Sequence, residues 1–521
     1  MRVVKRRDAA LSLLALTLTV APALYGQQAA PGKAVYDKWC AGCHGVDGKG
    51  DGPAAGYMLP RPRDFTQGIY QIRVTPSGAL PRDEDLLRVI DEGMPGTAMP
   101  GWRTVLSKSD RQALVDYLKG FSHFFAQGPA PDAIRIGKAP GLSEEGLAEG
   151  KEFYDKIECW KCHGRAGRGD GPSAPTQDDE LGFPIRPADL SENWTFNGGG
   201  TVEDVYRRLR TGMDGTPMPS FSDLVEAGFL TDEQLWRVAQ YAHSLSPEKP
   251  PRVREVIRAS RIEGELPSSP DDSAWAAAER FYVPLVGQVV VKPRWFAPTV
   301  DGVWVEALHN ERDLALRLVW HDPSQSPDSA WLEWQARVLA TVEPREGAPA
   351  EARLLPDVFA VQFPRRIPSG MERPYFLMGN AREPVHVWRW QSQPAAAVEA
   401  TARGLNRIEP EAGRQALAGQ AVFDQGEWRL VLRRPLATAD PTDQLQFATG
   451  VAIPIAFFAW DGSNAEEGTR GAISTWYFLY LERETPARVY TAPVATMLLT
   501  AGLGLLVVVR AQRRQQHEAA A

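Results

Sequence analysis

Two short stretches of the chain have the residue types and the spacing for covalent chemistry. Both follow the pattern Cys-x-x-Cys-His, and together they contain all four cysteines of the 521-residue sequence. Two thiols about one helical turn apart can add to the two vinyl groups of one porphyrin, and the adjacent histidine can reach the iron from the same face. The sequence therefore predicts two c-type haems. The predicted covalent attachment residues are Cys40, Cys43, Cys159 and Cys162, and the predicted axial histidines are His44 and His163.

A zinc site and a disulfide pair are the alternative explanations of the cysteine pairs. A structural zinc site takes four protein ligands as a rule, and no further cysteine or clustered histidine is available in the sequence to complete one. If both pairs hold haem, no thiol is left for a disulfide framework. Cysteine use therefore indicates haem chemistry and not a disulfide-stapled fold.

The two motifs belong to a duplicated segment. Residues 32–122 and 148–247 share the cysteine motif, a Gly-Asp-Gly-Pro turn and a Met-Pro pair, each offset by 119 positions. The Arg-Pro pairs that begin at Arg61 and Arg186 are offset by 125 positions instead, so loops have changed length between fixed anchors. This repetition predicts two copies of one small all-α domain and not a solenoid.

A methionine of each copy is the expected second iron ligand. Each copy contains the segment Gly-Met-x-Gly-Thr-x-Met-Pro, which offers Met94 or Met99 and Met213 or Met218. The copies resemble small class I cytochromes c, in which the methionine before proline is the ligand, and this resemblance implies Met99 and Met218. A thioether ligand raises the reduction potential relative to two histidines. Iron with both axial positions filled has no position for a substrate, which predicts electron transfer.

Each copy is expected to close with a capped helix. Ser109 with Gln112, and Thr231 with Gln234, fit the capping-box pattern. An apolar stripe follows each pair at helical spacing, and we expect it to pack on the helix that carries the cysteine motif.

The two ends of the chain predict export and membrane attachment. Residues 1–26 have four basic residues before an apolar run, which is typical of a signal peptide, with an uncleaved anchor as the alternative. Residues 489–509 carry no charge and are long enough to span a bilayer, with a buried core helix as the alternative. Arginines follow at 510, 513 and 514, so the positive-inside rule places the tail in the cytoplasm and the body in the periplasm.

The second half of the chain changes to a strand pattern. Segments 123–147 and 246–270 are rich in Pro, Gly and charge and are interpreted as linkers. Residues 271–486 alternate with period two, and Val303–Leu308 with Leu314–Trp320 predict a hairpin. Many strands separated by turns favour an all-β sandwich domain. The net charge of −7 argues against a nucleic-acid partner.

Several separated stretches of this half resemble the haem-binding domain of ethylbenzene dehydrogenase and related molybdenum enzymes. They are Ala330–Trp334, Phe359–Pro364, Tyr375–Asn380 with Val387–Trp390, Ala459–Asn464 and Ser474–Tyr477. In that family a β-sandwich holds a haem b between a methionine and a lysine. The domain relays electrons from a molybdopterin catalytic subunit through an iron–sulfur subunit.

The resemblance implies Met378 as a haem b ligand, but the lysine is missing. At the corresponding place the chain has Arg470, which stays protonated and cannot donate to iron. Either a histidine completes the site, with His309, His321 and His386 as candidates, or the domain has no haem.

The predicted fold is multidomain: two all-α cytochrome c domains, one β-sandwich and a C-terminal transmembrane helix. The predicted protein is a single-pass inner-membrane subunit that is not itself an enzyme. It would relay electrons between a respiratory oxidoreductase of the molybdenum and iron–sulfur type and a soluble cytochrome or oxidase. A dihaem enzyme such as a peroxidase is one alternative, and it would need an iron with an open position. A carbohydrate-binding module is another, but core packing is the default for the tryptophans.

Overall fold

The structure is a computed structural model, and it describes six stretches of the chain. The predicted signal segment 1–26 lies outside the described residues. Along the chain these stretches form three regions: a helical N-terminal region, a large β-sheet region and one long apolar helix. They comprise residues 31–342, 351–370, 372–411, 415–440, 444–483 and 488–520.

The N-terminal region contains two helical units, here called the first unit (residues 31–127) and the second unit (residues 144–246). The helices of the first unit are α1 (Pro31–Trp39), α2 (Ala41–His44), α3 (Asp83–Glu92) and α4 (Lys108–Lys119). Those of the second unit are α5 (Glu144–Lys156), α6 (Trp160–His163), α7 (Val202–Thr211), α8 (Ser222–Glu226) and α9 (Asp232–Ser244).

In both units the first and last long helices cross at a glycine. A Cβ on Gly32 of α1 would lie 2.0 Å from the carbonyl oxygen of Ala113 in α4, and a Cβ on Gly150 of α5 would lie 2.2 Å from that of Arg237 in α9. Only glycine permits this approach of two backbones. The apolar stripe of α4, which buries Leu114, therefore packs on the helix just before the cysteine motif.

The predicted N-terminal cap is present in α9, whereas in α4 the cap lies two residues before the predicted position. Thr231 and Gln234 form the predicted capping box, in which the Thr231 N–H donates to Gln234 Oε1 at 2.9 Å. In the first unit Ser107 caps α4, and its Oγ accepts from the Asp110 N–H at 3.1 Å. The Ser109–Gln112 prediction is wrong. Ser107, two residues earlier, has Asp110 three residues after it and forms the cap instead.

The β domain, residues 256–481, contains fourteen described strands and one helix. They are β1 (Val256–Arg261), β2 (Arg280–Pro284), β3 (Val286–Gly287), β4 (Gly302–His309), β5 (Asp313–His321), α10 (Leu332–Val342), β6 (Val358–Pro364), β7 (Val385–Gln391), β8 (Ala396–Ala402), β9 (Ile408–Pro410), β10 (Ala418–Asp424), β11 (Glu427–Pro435), β12 (Ala452–Trp460), β13 (Ala472–Ile473) and β14 (Tyr477–Leu481).

Strand β12 joins two halves of the sheet. Its first part pairs with β14 and its second part pairs with β6, so the strand order runs β10-β11-β5-β4-β1-β14-β12-β6-β7-β8-β9. The halves pack face to face: the Trp320 ring of β5 lies 4.6 Å from the Phe359 ring of β6, and Trp428 of β11 lies 4.9 Å from Trp390 of β7. These three tryptophans are therefore buried core residues of the β domain.

Two sequence interpretations have different outcomes here. The predicted hairpin is present as β4 and β5, which pair antiparallel. Strand β1, however, lies inside the segment 246–270 that was interpreted as a linker, and it pairs parallel with both β4 and β14. The strand was not predicted because it is short and its flanks are rich in proline. Its partners β4 and β14 are distant in sequence, so no local pattern indicates the pairing.

Helix α10 contacts both helical units as well as the β domain. Its buried side chains form one apolar cluster with Ala174 of the second unit and the partly buried Leu59 of the first unit. Arg61 donates to the carbonyl oxygen of Thr341 at 3.0 Å, and Arg337 donates to that of Pro175 at 2.7 Å. After the β domain comes α11 (Arg488–Ala520), which is exposed, and among the described helices it alone is long and apolar enough to cross a membrane.

Candidate haem sites

Both cysteine motifs form a single turn of helix. In the first unit the N–H groups of Cys43 and His44 donate to the Cys40 carbonyl oxygen at 3.1 and 2.9 Å. In the second unit Cys162 and His163 donate to Cys159 at 3.3 and 3.0 Å. The turn brings the two thiols of each motif together with the histidine that follows, as covalent attachment requires.

A glycine-rich loop folds back over each motif. The N–H groups of Gly50 and Gly169 donate to the carbonyl oxygens of His44 and His163, both at 2.9 Å. A Cβ on Gly52 would lie 2.5 Å from the Gly42 carbonyl oxygen. The loop therefore requires glycine here because the backbone passes directly over the motif.

A backbone carbonyl orients each histidine ring. Nδ1 of His44 lies 3.1 Å from the carbonyl oxygen of Arg63, and Nδ1 of His163 lies 2.9 Å from that of Ala188. A carbonyl can only accept, so Nδ1 carries the proton and Nε2 keeps a lone pair that is available to a metal. Burial also lowers the pKa of His44, which favours the neutral ring.

The buried surroundings of each motif fit a porphyrin. Phe65 stacks on the His44 ring with centroids 4.6 Å apart. Among the described residues, Tyr70 Oη and Trp102 Nε1 of the first unit and Trp236 Nε1 of the second unit are buried without a hydrogen-bond partner. Buried donors of this kind need an acceptor, and the carboxylate groups of a haem would supply one.

The thiols are neutral in these surroundings. Burial raises the pKa of Cys40 to about 11 and that of Cys159 to about 12. If a haem were attached, each cysteine sulfur would bond to one vinyl carbon and the thiol hydrogen would pass to the other carbon, so two cysteines would hold one porphyrin.

Each methionine segment closes into the same loop. Met94 N–H donates to the Met99 carbonyl oxygen at 3.0 Å, and Met213 N–H donates to that of Met218 at 3.1 Å. All four side chains are partly exposed. Both candidate methionines of each pair therefore lie in one loop with similar exposure, and this geometry does not favour one of them as the ligand.

The methionine loop of the second unit docks on the first unit through Asp214. Its carboxylate accepts from Arg73 Nη2 at 2.7 Å, from Ser77 Oγ at 2.9 Å and from the Gly78 N–H at 2.7 Å. Arg73 is fully buried and also donates to the Thr211 carbonyl oxygen at 2.7 Å. This contact fixes the two units against each other.

His321 links the second unit to the β domain. Its Nδ1 lies 2.6 Å from Asp189 Oδ2 and 3.5 Å from Glu192 Oε1. Burial alone would raise the pKa of Asp189, but the ion pair with His321 and hydrogen bonds from Ser191 outweigh it and hold the pKa below its usual value. Asp189 follows Ala188, whose carbonyl orients His163. The β domain therefore contacts the segment that orients His163.

Glu192 makes this contact sensitive to pH. Burial and the neighbouring carboxylates of Asp301 and Asp189 raise its pKa above the usual value. A raised folded-state pKa means that stability falls as pH rises above the unfolded-state pKa. We expect Glu192→Gln, which mimics the protonated carboxyl, to raise the free energy of unfolding by about 1–2 kcal/mol at pH 8 and to have little effect at pH 4.

Thermal unfolding between pH 4 and pH 8 measures this difference. Glu226→Gln, which changes an exposed carboxylate of the same unit, is the control and should show no such trend. A Glu192→Gln advantage that is equal at both pH values would contradict the assignment.

The surroundings of Met378 do not fit a haem b. Its side chain is fully buried in an apolar cluster with Leu377, Val387 and Phe458. A cavity of about 170 Å³ adjoins this cluster at Trp460, and Met378 does not line it. Pockets for ligands of drug size measure about 300–1,000 Å³.

The three candidate histidines are already engaged. His386 lies between Glu399 at 3.1 Å and Glu411 at 3.4 Å. Nδ1 of His309 accepts from the Glu311 N–H at 3.4 Å, and His321 is in the contact described above. Arg470 donates to the Ala465 carbonyl oxygen at 3.1 Å.

Sequence reasoning missed the groups that orient and dock the sites. The carbonyls of Arg63 and Ala188 could have been found, because each residue directly follows one of the two Arg-Pro pairs that are 125 positions apart. The contacts of Asp214 and His321 have no local sequence signal.

Comparisons with known proteins match three parts of the chain. The family model for cytochrome c oxidase, cbb3-type, subunit III matches residues 27–118, the model for cytochrome c matches residues 147–246, and the model for ethylbenzene dehydrogenase matches residues 272–407.

Individual relatives cover less than half of this chain. A protein of Haloferax mediterranei provisionally named as a respiratory nitrate reductase haem subunit, ORF7, is 25% identical over 43% of this chain and 72% of its own length. The chlorate reductase subunit gamma of Ideonella dechloratans is 25% identical over 44% of this chain and 86% of its own. A chain of the reducing HAO-like protein complex of Kuenenia stuttgartiensis is 45% identical, covering 42% of this chain and 96% of its own, with a TM-score of 0.39.

Proposed function

This chain combines cytochrome c domains with an ethylbenzene dehydrogenase-like domain, and we propose that it is a membrane-anchored, periplasmic electron-transfer subunit with two covalent c haems. The observation that carries the proposal is the repeated site: a Cys-x-x-Cys-His turn with the histidine Nδ1 on a backbone carbonyl, present twice. When bound, each haem supplies a one-electron iron couple.

The residues have separate tasks in this proposal. The cysteine pairs attach the porphyrins, and His44 and His163 bind iron on one face. Met99 and Met218 bind iron on the other face and close it to substrates. Asp214 keeps the two units in fixed contact through Arg73, so electrons pass between the sites within one rigid pair.

The membrane and partner assignments have their own support. Helix α11 contains the uncharged segment 489–509 followed by arginines, which favours a single span with the body in the periplasm. The two relatives named as a haem subunit and a gamma subunit belong to reductases by their names. We infer that this chain likewise carries electrons between a respiratory oxidoreductase, of the molybdenum and iron–sulfur type, and a cytochrome or oxidase, and that catalysis belongs to that partner.

Carbon monoxide tests whether the chain is a relay or a haem enzyme. Iron with both axial positions filled does not bind an external ligand readily, whereas a peroxidase needs an open position. We expect the absorption spectrum of the dithionite-reduced full chain to be unchanged by carbon monoxide. A stoichiometric spectral change at one haem would instead support the dihaem enzyme.

The β domain is proposed to be an adaptor without haem b. A pyridine haemochrome spectrum of the purified full chain should give two c haems and no b haem per chain, since Met378 is fully buried among apolar side chains. Met378→Leu, which nearly conserves volume, should leave the spectrum unchanged. A b-type signal that disappears in Met378→Leu would restore the haem b site.

A further inference from the structure

Three aspartates meet inside the β domain where strands end. Asp322 follows β5, Asp357 precedes β6 and Asp461 follows β12, and their side chains are at most 1% exposed. Each offers a carboxylate oxygen, and these oxygens all lie within 4.8 Å of one another. Strands β6 and β12 are neighbours that pair through Val358 and Trp460. Asp322 lies across from them on the facing half of the sheet.

Most of the carboxylate oxygens have neutral hydrogen-bond donors. The donors are the N–H groups of Ser326 and Gly462 and the indole of Trp428 for Asp357, the Ser463 N–H and Thr299 Oγ1 for Asp461, and the Ser324 N–H for Asp322.

Two buried oxygens at this place have no hydrogen-bond partner among the described residues. They are Asp322 Oδ2 and Ser463 Oγ, and both residues are 1% exposed. Ser463 is held at the cluster by its N–H, which donates to Asp461 Oδ1 at 2.7 Å. An unpaired buried carboxylate oxygen is costly, so it requires a proton or a cation.

The charge at the cluster fits a divalent cation. The Arg186 guanidinium of the second unit lies 3.7 Å from Asp461 Oδ2. Three ionised carboxylates and this one guanidinium leave two negative charges. Glu466, which is 1% exposed and whose Oε2 accepts from the Asp461 N–H at 3.1 Å, is a further carboxyl group beside the cluster, so the excess of negative charge favours a divalent over a monovalent cation. The donor set contains oxygen only, which suits calcium, magnesium or manganese and not a metal that prefers thiolate or imidazole.

We propose that Asp322, Asp357 and Asp461 bind a calcium ion. Calcium takes oxygen ligands at about 2.3–2.6 Å, so two ligands on opposite sides of the ion are about 5 Å apart, which accommodates the observed spacing. Magnesium demands near-ideal octahedral geometry and keeps several of its own waters, which suits a fully buried set of protein oxygens less well than calcium does. Ser463 Oγ is a further oxygen at the same place.

The ion has a defined structural task. It joins the two halves of the sheet at the end that faces the second unit, where Arg186 approaches Asp461. Asp322 directly follows His321, which pairs with Asp189. The calcium ion therefore stabilises the docking of the β domain on the unit that contains His163.

Metal content and thermal unfolding of the full chain in detergent test the proposal. After dialysis against calcium buffer, elemental analysis should find about one calcium ion per chain. Removal of the ion with EGTA should lower the melting temperature, and saturating calcium should restore it by about 5–10 °C, with a smaller effect of magnesium. Glu263→Gln, which changes an exposed carboxylate of the same region, should keep the full calcium response.

Asp322→Asn distinguishes a cation from a proton, because the two explanations predict opposite signs. If calcium binds, the variant loses the calcium response and melts below the wild type in calcium buffer. If the site holds only protons, removal of a buried charge relieves repulsion, and the variant melts above the wild type in both buffers. That result, or a wild type with no bound calcium and no calcium response, would overturn the proposal, and the wild-type measurements decide it even if the variant does not fold.

Discussion

Replacing both cysteines of one motif is expected to remove one of the two covalent haems. In the double variant Cys159→Ser/Cys162→Ser no thioether can form in the second unit, while the first unit is unchanged. The haem content of the full chain should fall from two to one per chain. Haem staining after denaturing electrophoresis and the mass of the denatured chain measure this loss, because only covalently attached porphyrin survives denaturation.

The reciprocal variant is the matched control. Cys40→Ser/Cys43→Ser should lose the other haem, and the quadruple variant should be colourless after denaturation. If either double variant retained two covalent haems, or lost both, the assignment of one haem to each motif would be wrong. Because loss of both could also follow from failed folding of the pair, circular dichroism of the same variant establishes that the chain is folded before this outcome is counted.

The second large effect is expected from Met218→Leu. Leucine has a similar volume but no thioether, so the iron of the second unit loses its proposed sixth ligand while the loop keeps its packing. Methionine ligation raises the reduction potential, and we expect the potential of one haem to fall by on the order of 0.1 V or more. The reduced variant should also bind carbon monoxide at that haem.

Met213→Leu provides the matched control within the same loop. Both methionines are partly exposed, and Met213 donates its N–H to the Met218 carbonyl oxygen at 3.1 Å. If Met218 is the ligand, Met213→Leu leaves both haem potentials unchanged. The reverse outcome, a lowered potential in Met213→Leu alone, would exchange the roles of the two residues. In the first unit, Met99→Leu and Met94→Leu test in the same way which of the two methionines is the iron ligand.

Sequence patterns predicted several elements of the fold. The capping box of Thr231 and Gln234 and the hairpin of β4 and β5 depend on short-range spacing, and the similarity of the two helical units was predicted from motifs repeated 119 positions apart. The predicted cap at Ser109 was wrong because two serines two residues apart offer the same capping chemistry, and the helix is capped by Ser107. Strand β1 was missed because nothing within 256–261 shows which strands it joins.

The sequence by itself determined the covalent chemistry of this protein. Two thiols and a histidine within five residues can act on one porphyrin whatever surrounds them, and the duplication is likewise a property of the chain alone. The tertiary structure decided how the sites are oriented, joined and balanced in charge. The Arg63 carbonyl reaches His44 from 19 residues away, Asp214 reaches Arg73 from the other unit, and three aspartates from separate strands meet at one place. Such contacts depend on burial and on the folded path of the backbone, which no short spacing encodes.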